Sequence, residues 1–239
     1  MNAYPLGYLP WQARDLLRGP GVVAALVAGV FALLVWRLPS QYIGTGGAAL
    51  FQGYLAQVGW PLVLVATGEI VRNDRVEGYH RFYFSRPVHP AAFYLVRFVL
   101  GFLLVLAAVL GSAAAVWLRT EEFALPLGTA GQLTLLYLLL GGTVFLLSTL
   151  FTGGPRDWLA ALLIHVYQNT TADLVARGID VWPALRVAHW VLPPMHLTRL
   201  DAGPIAPGDM LHVGLYGAAL VGGALAVLHF RPLGSGARD

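Results

Sequence analysis

Seven histidines are the residues of this chain best suited to holding a metal or a haem, since neutral imidazole is the commonest protein metal ligand. Their spacing argues against both. His165 stands seven residues into an apolar segment that starts at Trp158, about 10 Å along a helix at 1.5 Å per residue. His212 and His229 fall at opposite ends of the last apolar segment. Neither matches His165 in depth, which argues against axial haem ligation by a histidine pair, and no HExxH pair exists. Met195 and His196, in the stretch PPMH, offer a thioether and an imidazole of the kind copper accepts. Two ligands do not make a site, and Pro193 and Pro194 read as a turn. Ser148 and His165 are a nucleophile and a base, but the surrounding LLSTL has no glycine-rich turn to expose the serine, so its hydroxyl is expected to bond its own helix. The chain has no cysteine, which removes thiol nucleophiles, disulfides, iron–sulfur ligation and cysteine-rich zinc sites. All fifteen basic residues are arginine, so neither a GxxxxGK[ST] phosphate loop nor Schiff-base chemistry is open to it. The expectation is a non-catalytic chain with no metal or cofactor of its own.

Another set of polar residues has a helical spacing. His165, Asn169 and Asp173 recur every four residues and share one face of any helix that carries them. Gln52 and Gln57, close to Trp60 and Pro61, form a second polar feature. Such groups matter because the chain that holds them is made for a bilayer. Of its 239 residues, 57% are hydrophobic and only 11% are charged, against about 25% in a soluble domain. Mean hydropathy is +0.67. Apolar runs bounded by charge, glycine or proline give six spans: 21–36, 48–66, 98–118, 133–151, 158–175 and 210–230. Trp36, Trp117 and Trp158 fall at their ends, where indoles concentrate. The fifth span carries His165, Tyr167, Gln168, Asn169, Thr170, Thr171 and Asp173, which lipid alone would not tolerate. Its polar face, together with Gln57, therefore fits either a translocation path or a helix–helix contact. In the last span Gly214, Ala218, Gly222 and Ala226 form a small-residue stripe that permits close packing.

Before the first span, Leu9, Ala13, Leu16 and Leu17 oppose Gln12, Arg14, Asp15 and Arg18. That pattern suits a helix lying in the membrane interface, or a simple positively charged flank. With six spans both termini share one side. Placing them in the cytoplasm leaves ten arginines inside and five outside (Arg37, Arg119, Arg177, Arg186 and Arg199), the asymmetry that the positive-inside rule demands. No A-x-A-like cleavage site follows the first span, so it reads as a span and not as a signal peptide. The scattered arginines, with no basic run, point to topology and not to nucleic acid. The whole chain, 1–239, reads as one all-α transmembrane domain.

Between spans two and three lies EIVRNDRVEGYHRFYFSRPVHPAAFYLVR, Glu69 to Arg97, too charged to enter the bilayer and too rich in aromatics for a solvated linker. Arginine with aromatics is the composition of a protein contact or of a membrane interface. Here the sequence resembles the permease subunits of type-2 ABC transporters, which are usually exporters. Asp74, Arg75 and Gly78 match the acidic–arginine–glycine start of that family's first cytoplasmic loop. Ser85, Arg86, Pro87 and Val88, followed by Phe93, Tyr94, Leu95 and Arg97, match its proline and its aromatic entry to the third span. The N-terminal helix, the six spans, a short loop at Arg156 and a long outer segment before the last span fit more loosely, so the resemblance covers nearly the whole chain. The prolines of the outer segment depart from the family's short re-entrant helices.

The resemblance implies an all-α permease whose coupling segment, including Glu69, Arg72, Asp74, Arg75, Glu77, Gly78, Arg86 and Pro87, docks on a separate ABC ATPase that binds the ATP and magnesium. It implies also a second permease, identical or homologous, in a bacterial or archaeal plasma membrane. From spacing alone, Glu69 and Arg72 can pair if the second helix runs on past the membrane, and Pro87 and Pro90 stop one element and aim the next. A membrane scaffold or a secondary transporter acting without an ATPase is the competing expectation.

Overall fold

The structure is a computed structural model that describes residues 5–38, 46–68, 70–71, 74, 89–121, 127–151, 156–200 and 205–230. Of the eight residues named in the coupling segment only Asp74 is among them. Glu69, Arg72, Arg75, Glu77, Gly78, Arg86 and Pro87 lie outside the described residues, as does any Glu69–Arg72 pair.

Among the described residues every regular element is helical. A short 3₁₀ turn (Pro5–Tyr8) leads into α1 (Leu9–Arg18), then α2 (Pro20–Arg37), α3 (Gly47–Thr67) and α4 (Pro90–Thr120). Next, α5 (Leu127–Leu136), a π-helical turn (Tyr137–Gly141) and α6 (Gly142–Leu150) form one continuous rod. The chain continues through α7 (Arg156–Ala176), the short α8 (Pro183–Val191), a 3₁₀ turn (Met195–Thr198) and α9 (Pro207–Phe230). Proline opens α2, α4, α8 and α9, where its missing N–H costs nothing and its fixed φ favours the first turn. Pro90 thus starts the third long helix, as its spacing led us to expect.

Five helical segments are long and apolar enough to cross a membrane: α2, α3, α4, the α5–α6 rod and α9. The polar α7 is as long as α3, at 21 residues, but is not among the five. Each falls where an apolar run predicted a span, though α4 begins eight residues before Phe98. At 31 residues it is about 46 Å long, well beyond a ~30 Å hydrocarbon core. It is therefore longer than one perpendicular crossing needs, and Phe93, Tyr94 and Arg97 stand in its first turns.

Packing is centred on α4 and the π turn. On one side α2 and α3 lie against α4; Phe31 stacks on Tyr54 with centroids 3.8 Å apart, and the Tyr54 hydroxyl meets Ser112 Oγ at 3.2 Å. On the other, Tyr137 donates to the Phe98 carbonyl at 2.6 Å, inside a cluster of Phe98, Phe102 and Phe145. The helices approach so closely here that a Cβ on Gly101 would lie 2.6 Å from the Tyr137 oxygen and 3.0 Å from the Ala66 carbonyl oxygen. Beyond the rod, α9 presents Val213, Gly217, Ala224 and Leu228 as its buried face. A Cβ on Gly217 would sit 3.0 Å from Leu138 Cβ. The small-residue stripe is not that face, because a Cβ on Gly222 meets nothing within 4 Å and one on Gly214 only Leu135 at 3.8 Å. The large residues that stay exposed, such as Leu26, Leu33, Leu163, Leu211 and Leu215, suit the acyl chains around a multi-pass membrane protein.

Candidate functional site

At the end of the bundle that carries both α1 and the start of α4, three charges meet. Arg97 lies inside α4 with its side chain 7% exposed. It donates from Nη2 to Asp15 Oδ2 on α1 at 2.8 Å and from Nη1 to Asp74 Oδ2 at 3.2 Å. The Asp74 side chain is 3% exposed and that of Asp15 is 47% exposed. Burial pushes the Asp74 carboxyl above the usual aspartate range, while Arg97 and a hydrogen bond from Tyr94 hold it down. One guanidinium therefore joins the N-terminal helix, the third span and the segment that precedes it. Gln12 adds a second tie, donating to the Phe93 carbonyl at 3.2 Å. It is buried with Leu16, whereas Leu17 is 61% exposed. Thus α1 turns a polar edge to the bundle and part of its apolar face outward. The Asp15–Arg97 pair was not visible in the sequence, since the two residues stand 82 positions apart.

Between α3 and α7, Gln57, His165, Asn169 and Asp173 all line one open cavity of about 310 Å³, with Trp60 and Arg199. The four-residue spacing brings the last three to one face of α7, and α3 supplies the facing wall. Asn169 donates to the His165 carbonyl at 2.8 Å and approaches His165 Nε2 at 3.3 Å. That geometry makes Nε2 the acceptor and puts the proton of a neutral ring on Nδ1. His165 Nδ1 and Asn169 Oδ1 are buried without a hydrogen-bond partner. Asp173 is paired with Arg199, a partner that spacing alone did not give. The Trp60 indole stacks on His165 at 5.4 Å. Pro61, inside α3, has no N–H to offer, so the Gln57 carbonyl four residues earlier loses its helical donor. A proline four residues after a glutamine was the sequence signal for that opening.

Gln52 lies outside this cavity and donates to the Leu200 carbonyl at 3.2 Å. Ser148 bonds the Phe145 carbonyl of its own helix at 2.8 Å, as its sequence context led us to expect.

Trp60 also lines a second, apolar groove of about 660 Å³, with Val23 of α2, Pro61 and Val65 of α3, and Trp158 and Leu162 of α7. On the far side of α7, Gln168 is fully buried and holds the outer segment. It donates to the His189 and Leu192 carbonyls at 3.1 and 3.4 Å and accepts from His196 Nδ1 at 3.1 Å. Burial lowers the basicity of both His189 and His196, and for His196 the neighbouring His189 lowers it further against the pull of Asp209. Among the described residues no three histidine, aspartate or glutamate side chains are grouped to hold a metal ion. The chain matches no family model, no curated protein and no solved structure.

Proposed function

We propose that this chain is the membrane subunit of an ATP-driven transporter of the type-2 ABC kind, most simply an exporter. It has six spans, α7 being the fifth in chain order, and both termini in the cytoplasm of a bacterial or archaeal cell. The observation that carries the reading is the burial of Asp74 against Arg97. Asp74 is the first residue of the segment's resemblance and Arg97 the last, and here they meet across α4. A segment gripped in this way can pass a push from outside the membrane to a span, because both its ends are fixed. Arg75 and Arg86 would face the ATPase, which supplies ATP and magnesium chemistry that this chain lacks. The cavity bounded by Gln57, His165, Asn169 and Asp173 would be a stretch of the path. Closing of the ATPase pair on ATP would shift the spans between two access states. A second permease, identical or homologous, completes the assembly.

The test is purification of the tagged chain in mild detergent from its native host. A stoichiometric ABC ATPase in the complex, lost in the Arg75→Ala/Arg86→Ala double variant at unchanged expression, is the expected result. A chain that purifies without any ATPase would overturn the reading in favour of a scaffold or secondary transporter.

A further inference from the structure

We infer that His89 and His229 together chelate a late first-row divalent metal ion, of the nickel, copper and zinc class, where α4 begins and α9 ends. Neither residue lines the polar cavity or joins the Arg97 cluster. The site stands apart from the transport reading and needs no ATPase.

The two residues are 140 positions apart in the chain, yet His89 Nε2 and His229 Nδ1 stand 2.9 Å from one another. Their rings are within 23° of parallel. Each comes from a helix end whose backbone is held. His89 is the N-terminal cap of α4, and its carbonyl accepts from the Phe93 N–H at 3.1 Å, with Phe93 fully buried. His229 is in the last turn of α9, directly after the buried Leu228. The Phe230 ring meets its imidazole edge-on, with centroids 4.9 Å apart. The two helices pack on each other, so the pair is positioned before any ion arrives, which favours binding. Both residues are exposed. An ion therefore reaches them from solvent without opening the fold.

Imidazole nitrogens bond such ions at about 2.0–2.1 Å, so two of them at a right angle on one ion stand about 2.9 Å apart. In the pair as it stands, one facing nitrogen carries the hydrogen and the other accepts it. The ion takes both lone pairs, and the displaced proton moves to the outer nitrogen of its own ring, so both imidazoles coordinate in neutral form. Among the described residues no third histidine, aspartate or glutamate completes the set, and water fills the open positions. Two imidazoles suit late transition ions and not calcium or magnesium, which prefer oxygen. The other close pair, His189 and His196, has centroids 4.6 Å apart but is not free to chelate. There His189 Nδ1 is buried and His196 Nδ1 is held by Gln168.

The probe is radioactive nickel(II) in equilibrium dialysis against the purified full chain, carried on an affinity tag without histidine. One saturable equivalent per chain is expected, displaced by copper(II) at lower concentration and not by manganese(II) or magnesium, in the order of divalent affinities. His89→Ala and His229→Ala should each weaken binding at least about tenfold, and the double variant little further, because two ligands of one ion are coupled. Without metal, both variants should melt within about 2 °C of the native chain, as exposed substitutions do. Nickel at a hundredfold excess over half-saturation should raise the native melting temperature by up to about 10 °C and that of neither variant. Absence of a stoichiometric equivalent would overturn the proposal. So would binding that either single variant leaves unchanged, or losses that add across the two variants as for independent rings.

Discussion

Replacing Arg97 by methionine removes the cation that faces both Asp15 and Asp74 and keeps the volume and the helix propensity. The consequences differ for the two acids. The side chain of Asp74 is 3% exposed, so it would be left as an uncompensated buried charge, a change that typically costs 3–5 kcal/mol. For a chain of this size each kcal/mol moves the melting temperature by about 2–4 °C, which places the loss at roughly 6–20 °C. Asp15 is half-exposed and solvent screens it, so Asp15→Asn should cost under ~1 kcal/mol, or less than about 4 °C. The deficit of Arg97→Met should also depend on pH. Without the guanidinium, only the Tyr94 hydrogen bond still opposes burial, so the Asp74 carboxyl is raised further. A raised carboxyl favours the folded state in acid and loses that contribution as pH rises through its folded value. The gap to the native protein should therefore be widest near neutrality and narrow toward the carboxylate range. Arg97→Met with Asp74→Asn should recover most of the loss at pH 7. Thermal unfolding of the detergent-purified protein, followed by tryptophan fluorescence across pH, reads all four outcomes. Equal shifts for Arg97→Met and Asp15→Asn would refute the argument, since they would mean that Asp74 is not a buried partner of Arg97.

At the centre of the bundle, Gly101→Val should cost 1–3 kcal/mol or more by overpacking against Tyr137 and Ala66, seen as lost monodisperse protein in size-exclusion chromatography, whereas Gly222→Ala should be neutral. In the outer segment, burial lowers His189 and His196 below the ordinary histidine value of 6.5. Their contribution to docking is therefore complete above that value and is lost as pH falls through their folded values; amide protection factors of residues 183–198, taken relative to the intrinsic exchange rate at each pH, should be lower at pH 5 than at pH 7.5. Reporter fusions at Gly154 and Asp239 should read cytoplasmic and one at Gly128 external, and a cytoplasmic signal at Gly128 would break the six-span topology. An Asn169→Cys thiol should react with a water-soluble reagent to an extent that changes with nucleotide state, and inertness in every state would remove the cavity from the path.

Apolar length was the most legible property of the sequence. The limits of α2, α3 and α9 follow from uninterrupted hydrophobic runs, and Pro20, Pro90 and Pro207 mark where helices begin. The face shared by His165, Asn169 and Asp173 was equally plain, because a four-residue repeat survives in any helix. Their partners were not. Arg199 is 26 positions from Asp173 and Asp15 is 82 from Arg97, and an ion pair at such separation leaves no periodic trace. The glycine stripe did not name its neighbour, for a related reason. A stripe such as Gly214, Ala218, Gly222 and Ala226 shows where a helix could be approached closely, but which side is approached depends on the neighbour. That neighbour is Leu138, and it reaches Gly217.

The π turn explains why no periodicity could have placed the fourth span's faces. Gly142 N–H is shared between the Leu138 and Leu139 carbonyls, so one extra residue is accommodated at Tyr137–Gly141 and the helix face rotates by about 100° beyond it. Before the turn, Leu136 lines the polar cavity. After it, α6 packs against α9 and α7. At the turn itself Tyr137 reaches α4, and a Cβ on Gly141 would be 3.0 Å from Thr67 of α3. The irregularity thus lets one span touch both the cavity wall and α4, the helix that carries Arg97.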